Sequence, residues 1–176
     1  MTLTIVSRRP TLRIDKKAAR LLAEKFHSLS EASAQRNGAP TYESVSLIIA
    51  GDALISRVHE QSMGLEGTTD VMTLAYAATP GTPAIAEIFV NAQLAARCGA
   101  DRASLDLIEG EAHFPWSPAQ ELALYIAHGF DHLAGNDDAS AAGFKSMRKR
   151  EIGWVRQAHA LDLVENIIMK QGVVHE

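Results

Sequence analysis

The sequence predicts an α+β domain, and three observations carry that expectation. Segments rich in β-branched residues cluster early in the chain, whereas long stretches with helical periodicity fill the later part. At 176 residues the chain is long enough to bury roughly 70% of its unfolded surface around one core. Hydrophobic residues make up 47% and charged residues 22%, far from the profile of a chain too polar to fold. A single domain over residues 1–176, with four strands and about five helices, is therefore expected.

The first strand is LTIVS, residues 3–7. A helix follows from Asp15 through AARLLAEKFHSLSEAS, where apolar residues recur at helical spacing and Asp15 suits the N-cap. Asn37, Gly38 and Pro40 break the chain before ESVSLIIAG, a second strand that stops at Gly51. Asp52 is expected to cap a helix through ALISRVHEQ, and the turn MGLEG leads into TTDVMTLAY as the third strand. The fourth, IAEIFVNAQ, lies beyond the ATPGTP turn.

A helix through AQLAARCG is expected to stop at Gly99, leaving residues 100–116 as a loop. Ser117 and Pro118 open the next helix, as N-cap and first helical residue, and it runs through PAQELALYIAHGFDHLAG. From Ala139 to about Gly172 the pattern reads as one long helix with Gly153 as its weak point.

No apolar run approaches the ~20 residues that a membrane span needs. The opening MTLTIVSRRP lacks a basic segment followed by a long apolar one, so a cytoplasmic protein is expected. The single cysteine, Cys98, excludes an internal disulfide and leaves any metal site to nitrogen and oxygen ligands. A formal charge of −4 argues against coating nucleic acid by bulk electrostatics. The run KSMRKRE at 145–151 is locally cationic, a pattern that on a helix is ordinarily a solvated face.

Chemistry concentrates in HGFDHLAGNDD, residues 128–138. Residues four apart on a helix differ by roughly 40° in direction and ~6 Å in rise, so His128 and His132 can aim at a common ion. A third ligand at Asp138 would point to the opposite side of a continuing helix, so it can join only if the helix ends first. Gly135 is placed to end it in a left-handed conformation, after which Asp138 or Asp137 can swing back. Two neutral imidazoles, a carboxylate and an open position are what a catalytic zinc uses to bind and acidify water.

The bland alternative is a helix running out into a polar turn. His27, His59, His113, His159 and His175 have no such partners in the sequence. The metzincin string HExxHxxGxxH is similar in spacing, but Gly129 stands in place of its general-base glutamate and Asp138 in place of its third histidine, which speaks against a metallopeptidase. Asp131, on the same helical turn, is a candidate catalytic residue able to accept a proton, or else a group that orients a histidine.

The stretch resembles HGxLHLxGYDH, the motif of the bacterial YbeY endoribonuclease or rRNA maturation factor family. It keeps His128, Gly129, His132, Leu133, Gly135 and Asp137, and departs at Asp131, Asn136 and Asp138. TTDVMTL is similar to the family's TDVLSF strand, AEIFVNAQLAA to its GDIVIS strand and following helix, and MRKREIGW to its C-terminal helix. The resemblance covers roughly residues 40–155. It implies a small mixed four-stranded sheet packed with about five helices, one Zn2+ per chain, and ribosomal RNA or the small ribosomal subunit as partner.

By the same resemblance His128 and His132 are metal ligands and Asp138 is the third by position, a carboxylate where the family has histidine. The change adds negative charge, weakens Lewis acidity and can admit another divalent metal. Thr69 and Asp70 are expected to border the substrate cleft that the resemblance implies, with turn and strand-end capping as the alternative; Glu87 reads as an exposed strand acid. The DLIEGEAHFPW segment of the 100–116 loop either roofs that cleft or simply packs down.

Counting back from the TDV strand puts Met63 where the family has an arginine held to be important in RNA cleavage. Arg57 and the 145–150 cluster are candidate replacements. The leading expectation is thus a metal-dependent endoribonuclease-type hydrolase, with zinc as the expected ion, in rRNA maturation or ribosome quality control. The alternative is a catalytically impaired relative that binds ribosome or RNA.

Overall fold

A computed structural model of the chain describes residues 1–8, 12–102 and 116–169. Strand β1 (Thr2–Arg8) leads through helix α1 (Lys16–Asn37) to β2 (Ser44–Ala50), and α2 (Asp52–Met63) leads to β3 (Val71–Tyr76) and β4 (Ile85–Asn91). Helices α3 (Ala92–Arg102), α4 (Pro118–Leu133) and α5 (Ala141–His159) complete the described elements. The sheet order is β1-β2-β4-β3, with β1, β2 and β4 parallel and β3 antiparallel to β4. The expected mixed four-stranded sheet with five helices is what forms.

Parallel strands need crossovers, and α1 supplies the one from β1 to β2. Its start is fixed as expected: the Asp15 carboxylate accepts from the Lys17 and Ala18 N–H groups at 2.8 and 3.0 Å. Val45, Leu47 and Ile49 of β2 and Ala86, Ile88 and Val90 of β4 alternate into one core with Leu22 and Phe26 of α1 and Leu122 and Ile126 of α4. Each fully buried branched or aromatic side chain there contributes about 1.5–3 kcal/mol. A smaller cluster of Ala50, Ile55 and Met72 holds α2.

Helix α4 is the helix that the metal argument needs, and nearly all of its residues are buried. A helix covered on nearly every side runs through the interior, and its buried polar groups, Gln120, Glu121, His128 and Asp131, need partners there. Gly129 makes that possible, because a Cβ there would lie 2.3 Å from Ile88 Cγ2 on β4. The glycine brings α4 down onto the sheet. Ser117 caps the helix by accepting from the Ala119 N–H at 3.1 Å, with Pro118 in the first turn as expected.

Four expectations are corrected. Helix α3 passes through Gly99 to Arg102, because this glycine serves close packing: a Cβ would meet the Pro118 backbone at 2.6 Å. Gly51, not Asp52, is the N-cap of α2; Asp52 sits in the first turn with its carboxylate turned to Arg97 and Asn91. The third strand begins at Val71, since Asp70 Oδ1 accepts from the Thr69 hydroxyl and the Val71 N–H to form a turn.

The last correction concerns the long helix drawn from Ala139 to about Gly172. Helix α5 starts at Ala141 behind the Ser140 N-cap, is continuous through Gly153, and stops at His159. The Leu163 N–H then bonds back to Ala158 O, Asp162 takes a positive φ of 54°, and Val164 and Ile167 turn into the core. Of the 100–116 stretch, residues 103–115 lie outside the described residues, so the cleft-roof expectation does too. Trp116 is buried and donates its indole N–H to Glu121 Oε2 at 2.7 Å.

Candidate metal centre

The motif turn is built by ending α4 at Leu133. Gly135 adopts φ 79°, its N–H bonds to His132 O at 2.9 Å, and Asn37 of α1 donates to Ala134 O at 2.9 Å. The orphan carbonyls at the helix end are thereby satisfied. Asp137 accepts from the Ala139 N–H at 3.0 Å and stays in the turn, whereas Asp138 swings back toward the histidines. Of the two aspartates, Asp138 is the one that lies near both histidines.

His128 Nε2 and His132 Nε2 face each other at 3.0 Å. Asp138 Oδ2 is 3.6 Å from the first and Asp138 Oδ1 3.8 Å from the second. A tetrahedral zinc with bonds of about 2.0–2.1 Å sets its ligand atoms roughly 3.3 Å apart, so the three groups have the spacing of a metal ligand set. Together they are a cluster of side chains able to hold an ion.

The other ring nitrogens show which charge belongs between them. His132 Nδ1 lies 3.1 Å from the Asn136 carbonyl, which can only accept, so that nitrogen carries the hydrogen. His128 Nδ1 lies 2.6 Å from Glu151 Oε1, a carboxylate in the same accepting role. Both Nε2 atoms of the neutral rings then present lone pairs to one another and to a carboxylate. A proton shared between the rings or a bound cation relieves that arrangement, and histidine, histidine and carboxylate suit zinc or another divalent ion.

Electrostatics agree. Burial alone would pull the His128 imidazole below its ordinary pKa, but the hydrogen bond and charge of Glu151, with help from Asp70, override it and the net direction is up. The site therefore favours positive charge at this ring. The side chains of His132 and Asp138 are 27% and 33% exposed, so the centre is open to solvent on one side.

Asp131 is placed differently from the trio. It is fully buried, and its carboxylate takes two bonds from Arg150 Nε, at 3.0 and 3.1 Å, one from Arg150 Nη2 at 2.8 Å and one from Asn136 Nδ2 at 2.9 Å. Burial pushes its carboxyl above the ordinary value, more than the Arg150 guanidinium pulls it down. Thr69 and Asp70 form the turn before β3, and the charge of Asp70 acts on His128. Glu87 is a strand acid as expected but half-buried instead of exposed, accepting from the Tyr76 hydroxyl at 2.9 Å.

Met63 ends α2 half exposed, followed by Gly64 at φ 67°. Arg57 lines a cavity of about 500 Å³ with Arg8, Gly51 and Gln93, and none of the three metal-site residues takes part in it. Sequence reasoning missed Glu151, the buried partner of His128. The signal was available: an acid on α5 between Met147 and Val155, on the stripe that faces the core.

Fold and centre define a class, an α+β protein with a candidate metal site of two histidines and a carboxylate at the end of a buried helix. The family described as Endoribonuclease YbeY matches residues 5–159, and the chain belongs to that family. It is 27% identical over 140 residues to the Endoribonuclease YbeY of Moorella thermoacetica, covering 74% of this chain and 82% of that protein. With that of Nitratidesulfovibrio vulgaris it shares 36% identity over 99 residues, 53% of this chain and 61% of the relative. The solution structure of TM1509 from Thermotoga maritima has the same fold, with a TM-score of 0.57 at 18% identity over 97% of this chain and 99% of the other.

Proposed function

We propose that this protein is a divalent-metal-dependent endoribonuclease that acts on ribosomal RNA, with zinc as its ion and the small ribosomal subunit as the setting. The observation that carries the reading is the convergence of His128 Nε2, His132 Nε2 and Asp138 on one point in a chain of this family. A divalent ion bound there supplies Lewis acidity toward a phosphoryl oxygen and acidifies water for attack. Among the described residues no helix is long and apolar enough to cross a membrane.

The chain's own residues divide the remaining work. Glu151 fixes the His128 tautomer and ring plane, and the Asn136 carbonyl does the same for His132. Asp131 is a positioning residue that ties Arg150 to the motif turn through Asn136. Thr69 and Asp70 shape the adjoining edge of the cleft. A peptidase mechanism has no support here, because the glutamate it would need cannot occupy position 129 against Ile88.

A binding-only relative is the second reading, favoured by Met63 at the end of α2. The test is incubation of purified protein with structured and single-stranded ribosomal RNA fragments, with the His128→Ala, His132→Ala double variant as blank. Fragments produced by wild type and absent from the blank are expected. RNA bound by metal-containing wild type but left intact would favour the second reading.

A further inference from the structure

Helix α5 sets Phe144, Arg148 and Glu151 on one face. Glu151 uses one carboxylate oxygen for His128 at 2.6 Å. Its other oxygen, Oε2, makes no hydrogen bond and lies 3.7 Å from Arg148 Nη1. The Arg148 guanidinium rests over the Phe144 ring at 5.4 Å, and the charge of Arg148 acts on His128. The arginine is thus held beside Glu151 by charge and an aromatic face, and none of its N–H groups makes a hydrogen bond among the described residues.

The centre needs such a cation. Asp138, Glu151 and Asp70 place three carboxylates around the histidines, which offset the charge of a divalent ion bound there and leave little net attraction for a phosphodiester. Arg150 cannot compensate, because Asp131 occupies it from three contacts. Arg57 and Arg8 line the cavity in which none of the metal-site residues takes part. The Arg148 side chain is 22% exposed, so its fork reaches solvent while its charge acts on His128.

We propose that Arg148 is the phosphate-binding residue of this site, engaging a phosphodiester oxygen of RNA held against the His128, His132 and Asp138 centre. The inference rests on the endoribonuclease reading above and names the residue by which the chain grips its substrate. Arg150 supports the turn; Arg148 meets the RNA.

The test measures affinity of the metal-loaded protein for a fluorescein-labelled single-stranded 2′-O-methyl RNA, which resists cleavage, across a salt series, with metal content determined for every variant. Arg148→Ala is expected to keep its metal, to weaken binding about tenfold and to lower the slope of log affinity against log salt by about 0.7. Arg148→Lys restores the slope but only part of the affinity, because an ammonium lacks the bidentate fork. Arg57→Ala behaves as wild type.

Equal slopes for wild type, Arg148→Ala and Arg148→Lys overturn this inference and leave the endoribonuclease reading standing. It is overturned in the same way if Arg148→Ala sheds metal at an unchanged slope, since the residue would then only support Glu151. Metal-loaded wild type that binds no RNA overturns both.

Discussion

Glu151 Oε1 lies 2.6 Å from His128 Nδ1, joining the middle of α5 to the middle of the motif helix. The carboxylate is fully buried, so its charge is directed at one imidazole rather than shared with water. Removing it leaves His128 free to rotate or change tautomer. Glu151→Ala is expected to weaken divalent-metal affinity about 10- to 100-fold, and Glu151→Gln less because an acceptor remains. Competition with a chromogenic chelator reads this directly, and wild-type affinity in Glu151→Ala would remove the support assigned to this residue.

Gly129 has a steric reason to be glycine. The Cβ of Gly129→Ala would lie 2.3 Å from Ile88 Cγ2, so α4 or the strand must shift. Overpacking of this kind costs about 1–3 kcal/mol. Adding Ile88→Ala to Gly129→Ala should recover part of that loss, and a double-mutant cycle by urea unfolding measures it. Strict additivity of the two changes would show that the clash is relieved elsewhere.

The Arg97 guanidinium holds Asp52 below the usual carboxylate range against the opposing effect of burial, with further help from Asn91 and Thr68. A group whose folded pKa is lowered stabilises the fold above its unfolded pKa, near 3.8, and loses that contribution as pH falls through the folded value. Asp52→Asn should therefore be less stable than wild type near neutral pH and converge with it once the pH falls below the lowered folded value. Urea unfolding across that range checks the sign. A gap that stays constant with pH would locate the effect in packing instead of charge.

How much of this is legible in the sequence follows from the range of the interactions. The αL glycine at 135 and the Ser117–Pro118 helix start depend on neighbours a few residues away, and both stand where the pattern puts them. The histidine pair is legible for the same reason, since i and i+4 on one helix share a direction. The pairing of Glu151 with His128 spans 23 residues and two helices, so it follows only from how α5 packs on α4.

Gly99 misleads because a glycine can mark either a helix end or a close approach, and sequence does not distinguish the two, while Gly153 lies in open space within a continuous helix. At Gly99 the approach is to Pro118, in a helix that begins well downstream. Asp131 reads as a candidate proton acceptor from its place in the motif. Its commitment to Arg150 depends on the rotation of α5, which no local pattern records.

The most direct measurement is the metal content of purified protein by inductively coupled plasma mass spectrometry, wild type beside His128→Ala, His132→Ala. The account predicts about one divalent ion per chain in wild type and almost none in the double variant, with both still folded by circular dichroism. A folded wild-type protein that takes up no ion, even after equilibration with excess zinc, contradicts it.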